Sequence, residues 1–420
     1  MASTTIRIPT HAWYGDREME LQFPPTWQVQ ECRMAGHDTP ALDDEQLLAQ
    51  LQSPLGTPPL RELARGRKQA AILFDDLTRP APTWRILPLV LAELHAAGLE
   101  EDRIRLIGAF ANHAAMSLED FTKKLGDDVV RRYRVYNHNP FEHLVEVGTT
   151  SRGTRVEINR EVMACDLRIG IGGLIPHRSA GFGGGAKLLV PGVAGIATVD
   201  HNHRVLGRRA ARAHGEDTTR GTHLLGNIED SVIRQDLEEA VALVGLDFKV
   251  DLLINQRREV VQVFAGQFVE QHRAGVAAAQ RLYATPLAEN CDVVVTNTYP
   301  IENQAAKGIW PPDLSLEEGG VAVVICESVE GQAPHYLGGR FGSDYGGKIW
   351  SPAKQCPIRK AGQLLVCSRY QSRTDLDGYG PGGNVVPCAN WSEVLIHLTA
   401  RFPQGAKAAV YPYAAIQLPA

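Results

Sequence analysis

Between Pro176 and His203 the chain gathers His177, a turn with Gly181, Gly183, Gly184 and Gly185, then Lys187, and finally His201-Asn202-His203. Imidazoles exchange protons near neutral pH and ligate metals. An unprotonated lysine is a nucleophile. Glycines let the backbone take positive φ and approach a ligand closely. A pyridoxal-phosphate site would use Lys187 as a Schiff base beside a glycine-rich phosphate cradle. A Walker A loop is excluded because Lys187 lies between Ala186 and Leu188. The dinucleotide fingerprint G-x-G-x-x-G is not met by Gly181-Phe182-Gly183-Gly184-Gly185-Ala186. His201 and His203 are two residues apart, so on one helix they face different ways and a single metal ligand is the simpler arrangement. No set of three zinc ligands is visible. A purely structural glycine loop is the competing reading.

Three further groups carry chemistry. Asp75-Asp76-Leu77-Thr78-Arg79-Pro80 joins acids to an arginine suited to bidentate grip of a carboxylate or phosphate. Pro80 restricts Arg79 to extended backbone. Gly108-Ala109-Phe110-Ala111-Asn112-His113 ends in a candidate base. Tyr299-Pro300-Ile301-Glu302-Asn303-Gln304-Ala305-Ala306-Lys307-Gly308 would, if helical from Asn303, put Gln304 and Lys307 on one face at i, i+3. Each group also has a bland reading as a turn, a structural histidine or a solvated helix start.

The elements that must position these groups alternate between short β-branched runs and amphipathic helical runs. That pattern predicts an α/β fold of two domains, with mostly parallel sheets flanked by helices. Strands are expected at 69–74, 103–109, 166–171, 261–265, 292–297, 321–327, 363–367 and 408–411. Helices are expected at 84–97, 117–133, 228–244, 269–283, from 303, and at 391–401. The four groups then follow strand ends, where open α/β sheets bind ligands. The expected division is residues 1–268, carrying the cofactor and catalytic groups, and 269–420, with the last residues returning to the first domain. The N-terminal section reads as a small sheet. Glycines 338, 339, 346, 347, 378, 380, 382 and 383 suggest a lid, and Trp350 and Arg373 are candidate substrate contacts.

The 420 residues carry 44% hydrophobic and 22% charged side chains and a net charge of −5, ordinary for a globular protein. There is no basic footprint for nucleic acid and no apolar run long enough for a membrane span. The start lacks an apolar signal core. Seven scattered cysteines without a C-x-x-C pair fit a reduced, cytoplasmic chain.

Taken together, the four groups resemble the nickel-pincer lactate racemase family over residues 70–310. The likeness lies in the order of the groups and in the spacing of His177, Lys187 ten residues on, and His203 sixteen further. The resemblance implies a nickel-bearing pyridinium-3,5-bisthiocarboxylic acid mononucleotide, tethered as a thioamide on Lys187 with His203 completing the nickel coordination. It implies that Asp76, Leu77, Thr78 and Arg79 line the nucleotide and that His113 and His177 are the acid/base pair. Arg79, Gln304 and Lys307 would hold the substrate, with the active site in the inter-domain cleft. The implied activity is racemisation or epimerisation of a 2-hydroxy acid through a 2-keto acid, by hydride transfer. The implied partners are that small molecule and the proteins that build and load the cofactor.

Two positions depart from the family pattern. Ala114-Ala115 stands where Arg-Pro is frequent after the first histidine, and Asn303 stands where lactate enzymes tend to carry an aromatic residue. A roomier, more polar pocket is expected, for a longer 2-hydroxy acid, a hydroxy-diacid or a sugar acid. The alternatives are a pyridoxal-phosphate or nicotinamide enzyme built on Lys187 and the glycine-rich loop, and a carrier that holds the nickel-pincer nucleotide without catalysis.

Overall fold

A computed structural model describes residues 3–207, 209, 225–336, 356–380 and 384–420. The chain forms two compact units, Asp38–Arg281 and Met1–His37 with Leu282–Ala420. The expected division at 268 assigned the N-terminal residues to the other side. They belong with the C-terminal unit because the Gln28–Glu31 strand pairs in parallel with Lys407–Tyr411. The chain's end also stays in that unit, where Leu418–Pro419 pairs with Ala284–Thr285.

The Asp38–Arg281 unit is built on six strands in the order Val260–Gly266, Phe248–Ile254, Leu167–Gly173, Ala70–Phe74, Ile104–Gly108 and Arg134–Asn137. All neighbours are parallel except Val260–Gly266, which returns antiparallel. Ala70–Phe74 and Phe248–Ile254 are buried along their whole length, as expected for strands covered on both faces. From Ala70–Phe74 the chain moves outward through Ile104–Gly108 to Arg134–Asn137. It then restarts on the other side with Leu167–Gly173. The switch point lies between Phe74 and Gly173, where a doubly wound sheet opens a crevice. The helix expected over 117–133 is two helices, Leu118–Leu125 and Asp127–Arg132, broken at Gly126 with φ +90°. The Ser117–Asp120 capping box opens the first.

The other unit holds six parallel strands in the order Val385–Cys388, Ala361–Cys367, Leu316–Ile325, Cys291–Asn297, Lys407–Tyr411 and Gln28–Glu31. Its core joins Val293, Val295, Val323, Ile325 and Val410 to Trp391, Val394 and Leu398 of the Trp391–Arg401 helix. The N-terminal hairpin, Thr4–Thr10 with Arg17–Phe23, contributes Ile6, Ile8, Leu21 and Phe23 to the same core. Glycines 338, 339, 346, 347, 382 and 383 and Trp350 lie outside the described residues. Arg373 opens the short Arg373–Asp377 helix and pairs in solvent with Asp377 at 3.2 Å. Among the described residues no helix is long and apolar enough to cross a membrane.

Candidate active site

The two loops at the switch point of the Asp38–Arg281 sheet are tied to each other. Asp75 Oδ2 accepts the backbone N–H of Gly173 at 2.8 Å, and a Cβ on Gly172 would fall 2.8 Å from the same oxygen. Lys124, fully buried on the Leu118–Leu125 helix, meets Asp75 Oδ1 at 2.5 Å. Its ammonium also donates to the carbonyls of Arg79 and Ala81, both at 2.9 Å, and of Asp76 at 3.3 Å. One buried cation thus fixes the whole 75–81 turn. Burial pulls the Lys124 amine below its ordinary value, against the pull of Asp75 and Asp76.

That turn presents Asp76 to His113. His113 Nδ1 donates to Asp76 Oδ2 at 2.7 Å, and the Thr78 hydroxyl donates to Asp76 Oδ1 at 2.6 Å. Burial alone would raise this carboxyl. The charge and hydrogen bond of His113, with Arg79 and Thr78, outweigh it and hold Asp76 well below the usual carboxylate range. An ionised Asp76 keeps the proton of neutral His113 on Nδ1, so Nε2 is the basic nitrogen. Arg79 bonds the Thr78 hydroxyl at 2.7 Å.

The glycine-rich segment enters from Leu167–Gly173 as a tight hairpin, Pro176–His177 against Gly181–Phe182. His177 Nδ1 accepts the backbone N–H groups of Ser179 and Ala180, each at 3.3 Å. Gly184 and Gly185 take φ +68° and +57°. A Cβ on Gly184 would lie 2.7 Å from Asp251, and one on Gly185 2.7 Å from His272. The loop therefore needs glycine twice over, for backbone conformation and for space.

Lys187 and His203 converge. Their Nζ and Nε2 are 2.9 Å apart. Lys187 sits on the short 3-10 helix Gly185–Leu188 and His203 on the π-helix Asp200–Leu206. The π-helix turns its other histidine away: His201 Nδ1 meets the Thr154 hydroxyl at 2.8 Å. Burial, then the charges of Arg234 and Arg79, hold the Lys187 amine well below its ordinary value. Arg79 is thereby electrostatically common to both halves of the site.

The sequence reading missed what lies beneath this loop. Arg234 is fully buried, and its guanidinium donates to the carbonyls of Ala180, Phe182, Gly183 and Gly184. Asp251 accepts the Gly185 N–H at 2.8 Å and Gln271 Nε2 at 2.9 Å, and it pairs with buried Lys249 at 2.5 Å. His272 Nε2 donates to the Gly183 carbonyl at 2.9 Å. A legible signal existed: Lys249 and Asp251 are charges inside an otherwise apolar strand, and buried charges are paired.

Gln304 and Lys307 lie in the other unit, on the 3-10 segment Glu302–Lys307, with Gln304 at φ −137°, ψ 61°. The expected regular helix is thus broken at Gln304 itself. Asp76, Thr78, Arg79 and His113 are brought together, and so are Lys187 and His203. Leu77 is buried in the same turn as Asp76. Among the described residues no group of three or more His, Cys, Asp or Glu side chains could hold a metal.

Residues 14–214 match the lactate racemase N-terminal domain. The chain is 28% identical over 338 residues to the lactate racemase of Thermoanaerobacterium thermosaccharolyticum, covering 78% of this chain and 75% of that one. It is 28% identical over 296 residues to the lactate racemase of Lactiplantibacillus plantarum, covering 69% and 67%. The solved lactate racemase apoprotein from T. thermosaccharolyticum superposes with TM-score 0.73 at 20% identity over 99% of this chain and 100% of that one. A Thermotoga maritima protein superposes with TM-score 0.64 at 17% identity, covering 90% and 98%. The curated relatives are racemases and indicate an isomerase of that class. The chain resembles the lactate racemase family, over residues 14–214 in sequence and over its length in fold.

Proposed function

We propose that this racemase inverts C2 of a 2-hydroxy acid with a nickel-pincer nucleotide as cofactor. The observation that carries the reading is the part-buried Lys187–His203 contact at 2.9 Å. The residues present fit the group: burial disfavours the charged form of the Lys187 amine, which would suit it to forming a thioamide, and the imidazole of His203 beside it would be a suitable nickel donor. Lys187 would tether the nucleotide, His203 would ligate nickel, and Asp76, Leu77, Thr78 and Arg79 would line the nucleotide. When bound, the cofactor would supply a reversible hydride acceptor.

The chain's own groups handle protons and orientation. A C2 hydrogen is weakly acidic, so direct proton abstraction is unfavourable; hydride loss is eased when a base takes the hydroxyl proton as the planar keto acid forms. His113 Nε2, with Asp76 behind it, is one such base, and His177 is the other, since inversion requires proton exchange on two faces. Ionised Asp76 stabilises the imidazolium that forms. Arg79, Gln304 and Lys307 would hold the carboxylate and carbonyl, and keep the keto acid from leaving. Ala114-Ala115 and Asn303 favour a substrate longer or more polar than lactate. Proteins that build and load the cofactor are the implied partners.

The reading is tested by a chiral screen of 2-hydroxy acids with protein co-expressed with the cofactor pathway. Inversion of at least one acid, abolished in Lys187→Ala, is expected; no inversion of any acid by nickel-loaded protein would contradict it. A panel in which only lactate turns over would remove the larger-substrate assignment.

A further inference from the structure

In a regular 3-10 turn the N–H of Ala305 would bond the carbonyl of Glu302. The non-helical backbone of Gln304 opens that pair, and one side-chain amide closes it from outside. Gln332 Nε2 donates to the Glu302 carbonyl at 2.9 Å, while Gln332 Oε1 accepts the Ala305 N–H at 2.8 Å. Next to it, the Ala333 N–H bonds the Asn303 carbonyl at 2.7 Å. A primary amide presents a donor and an acceptor side by side, so Gln332 acts as an inserted peptide group across the kink. The front of the turn is pinned separately. The Glu302 carboxyl, 4% exposed, takes the backbone N–H groups of His11 and Ala12 at 2.9 and 2.8 Å. His11 holds φ +63° and Trp13 φ +72° in that strap, conformations that persist only when their surroundings enforce them.

We propose that Gln332 is a positioning residue for the racemase reaction, holding the kinked turn that presents Gln304 and Lys307 to the substrate, with Glu302 as its second anchor. This rests on the reading of Gln304 and Lys307 as substrate-binding residues. Its pattern cannot be replaced by a group with only one hydrogen-bonding character. A carboxylate at 332 keeps the acceptor for Ala305 but turns a lone pair toward the Glu302 carbonyl. A protonated carboxyl restores the donor.

The test is steady-state inversion kinetics on nickel-loaded Gln332→Ala, Gln332→Glu and Lys307→Ala, with nickel content and thermal midpoint recorded for each. Gln332→Ala is expected to load nickel as wild type does and to lose roughly 10²-fold in kcat/KM, the order produced by an ångström-scale misplacement. Gln332→Glu is expected to be impaired near neutral pH and to recover relative to wild type as pH falls and the introduced carboxyl protonates. A merely structural role would not give that recovery. Wild-type kcat/KM in Gln332→Ala beside a crippled Lys307→Ala would overturn the positioning role alone. Wild-type activity in Lys307→Ala would overturn both that role and the substrate reading beneath it. If Gln332→Ala does not fold, the pH profile of Gln332→Glu decides: recovery at low pH supports the role, and a constant ratio to wild type overturns it.

Discussion

Asp76 and His113, thirty-seven residues apart in sequence, meet at 2.7 Å where the ends of two adjacent parallel strands bring their loops together. The contact makes the imidazole's tautomer a property of the fold. Asp76→Asn should therefore lower kcat by about 10²-fold, the usual worth of one acid/base group, with KM little changed, as read in initial-rate kinetics. A KM effect without a kcat effect would point instead to a binding role. The same substitution should also change acid stability. Asp76 sits below its unfolded value, so its contribution is present above about pH 4 and is lost as pH falls further. The variant should show a shallower loss of stability in that window.

Arg234 has no solvent and four carbonyls to serve. Arg234→Met should cost about 3–5 kcal/mol in chemical denaturation, since it leaves buried acceptors unmet. A cost below about 1 kcal/mol would mean that the glycine-rich loop is held chiefly by Asp251 and His272.

Gly184 and Gly66 separate backbone strain from steric fit. Both have positive φ, at +68° and +74°, but a Cβ on Gly66 meets nothing within 4 Å whereas one on Gly184 meets Asp251 at 2.7 Å. Gly66→Ala should cost about 1 kcal/mol and Gly184→Ala at least about 2 kcal/mol in thermal or denaturant unfolding. Equal costs would show that the loop yields freely to Asp251.

His138 gives a pH signature of fixed sign. It accepts from Asn159 at 3.1 Å and donates to the Ala194 carbonyl at 2.9 Å, and burial pushes its imidazole down to about 4. Below about pH 6.5 the unfolded chain binds a proton that the folded chain refuses. Stability should thus fall as pH drops from about 6.5 to 4, by about 3 kcal/mol at 1.36 kcal/mol per unit. His138→Gln should flatten that slope whatever it does to stability at pH 8. An unchanged slope in urea titrations would assign the loss to other groups.

Much of the layout of the candidate site was legible because each candidate group followed a strand whose β-branched run ended in polar or glycine residues. Ala70–Phe74, Ile104–Gly108 and Cys291–Asn297 fall within a residue or two of expectation. The i, i+2 spacing of His201 and His203 correctly separated their directions. What stayed hidden depends on distant partners. Lys124 reads as an exposed helix lysine until Asp75 and three carbonyls close around it, and Arg234 reads as the polar face of a helix until the glycine loop folds over it. The N-terminal residues were misassigned because the pairing of Gln28–Glu31 with Lys407–Tyr411 spans almost the whole chain, and no local pattern records it. The kink at Gln304 was missed for the same reason: its supporting amide comes from Gln332.

Lys187 and His203 are the residues on which the proposed cofactor site depends, and the most direct measurement is intact mass with nickel content on protein co-expressed with the cofactor-building enzymes. A mass adduct mapped to Lys187 and about one nickel per chain, with the nickel lost in His203→Ala and the adduct lost in Lys187→Ala, is the predicted result. A folded protein carrying neither adduct nor nickel would contradict it.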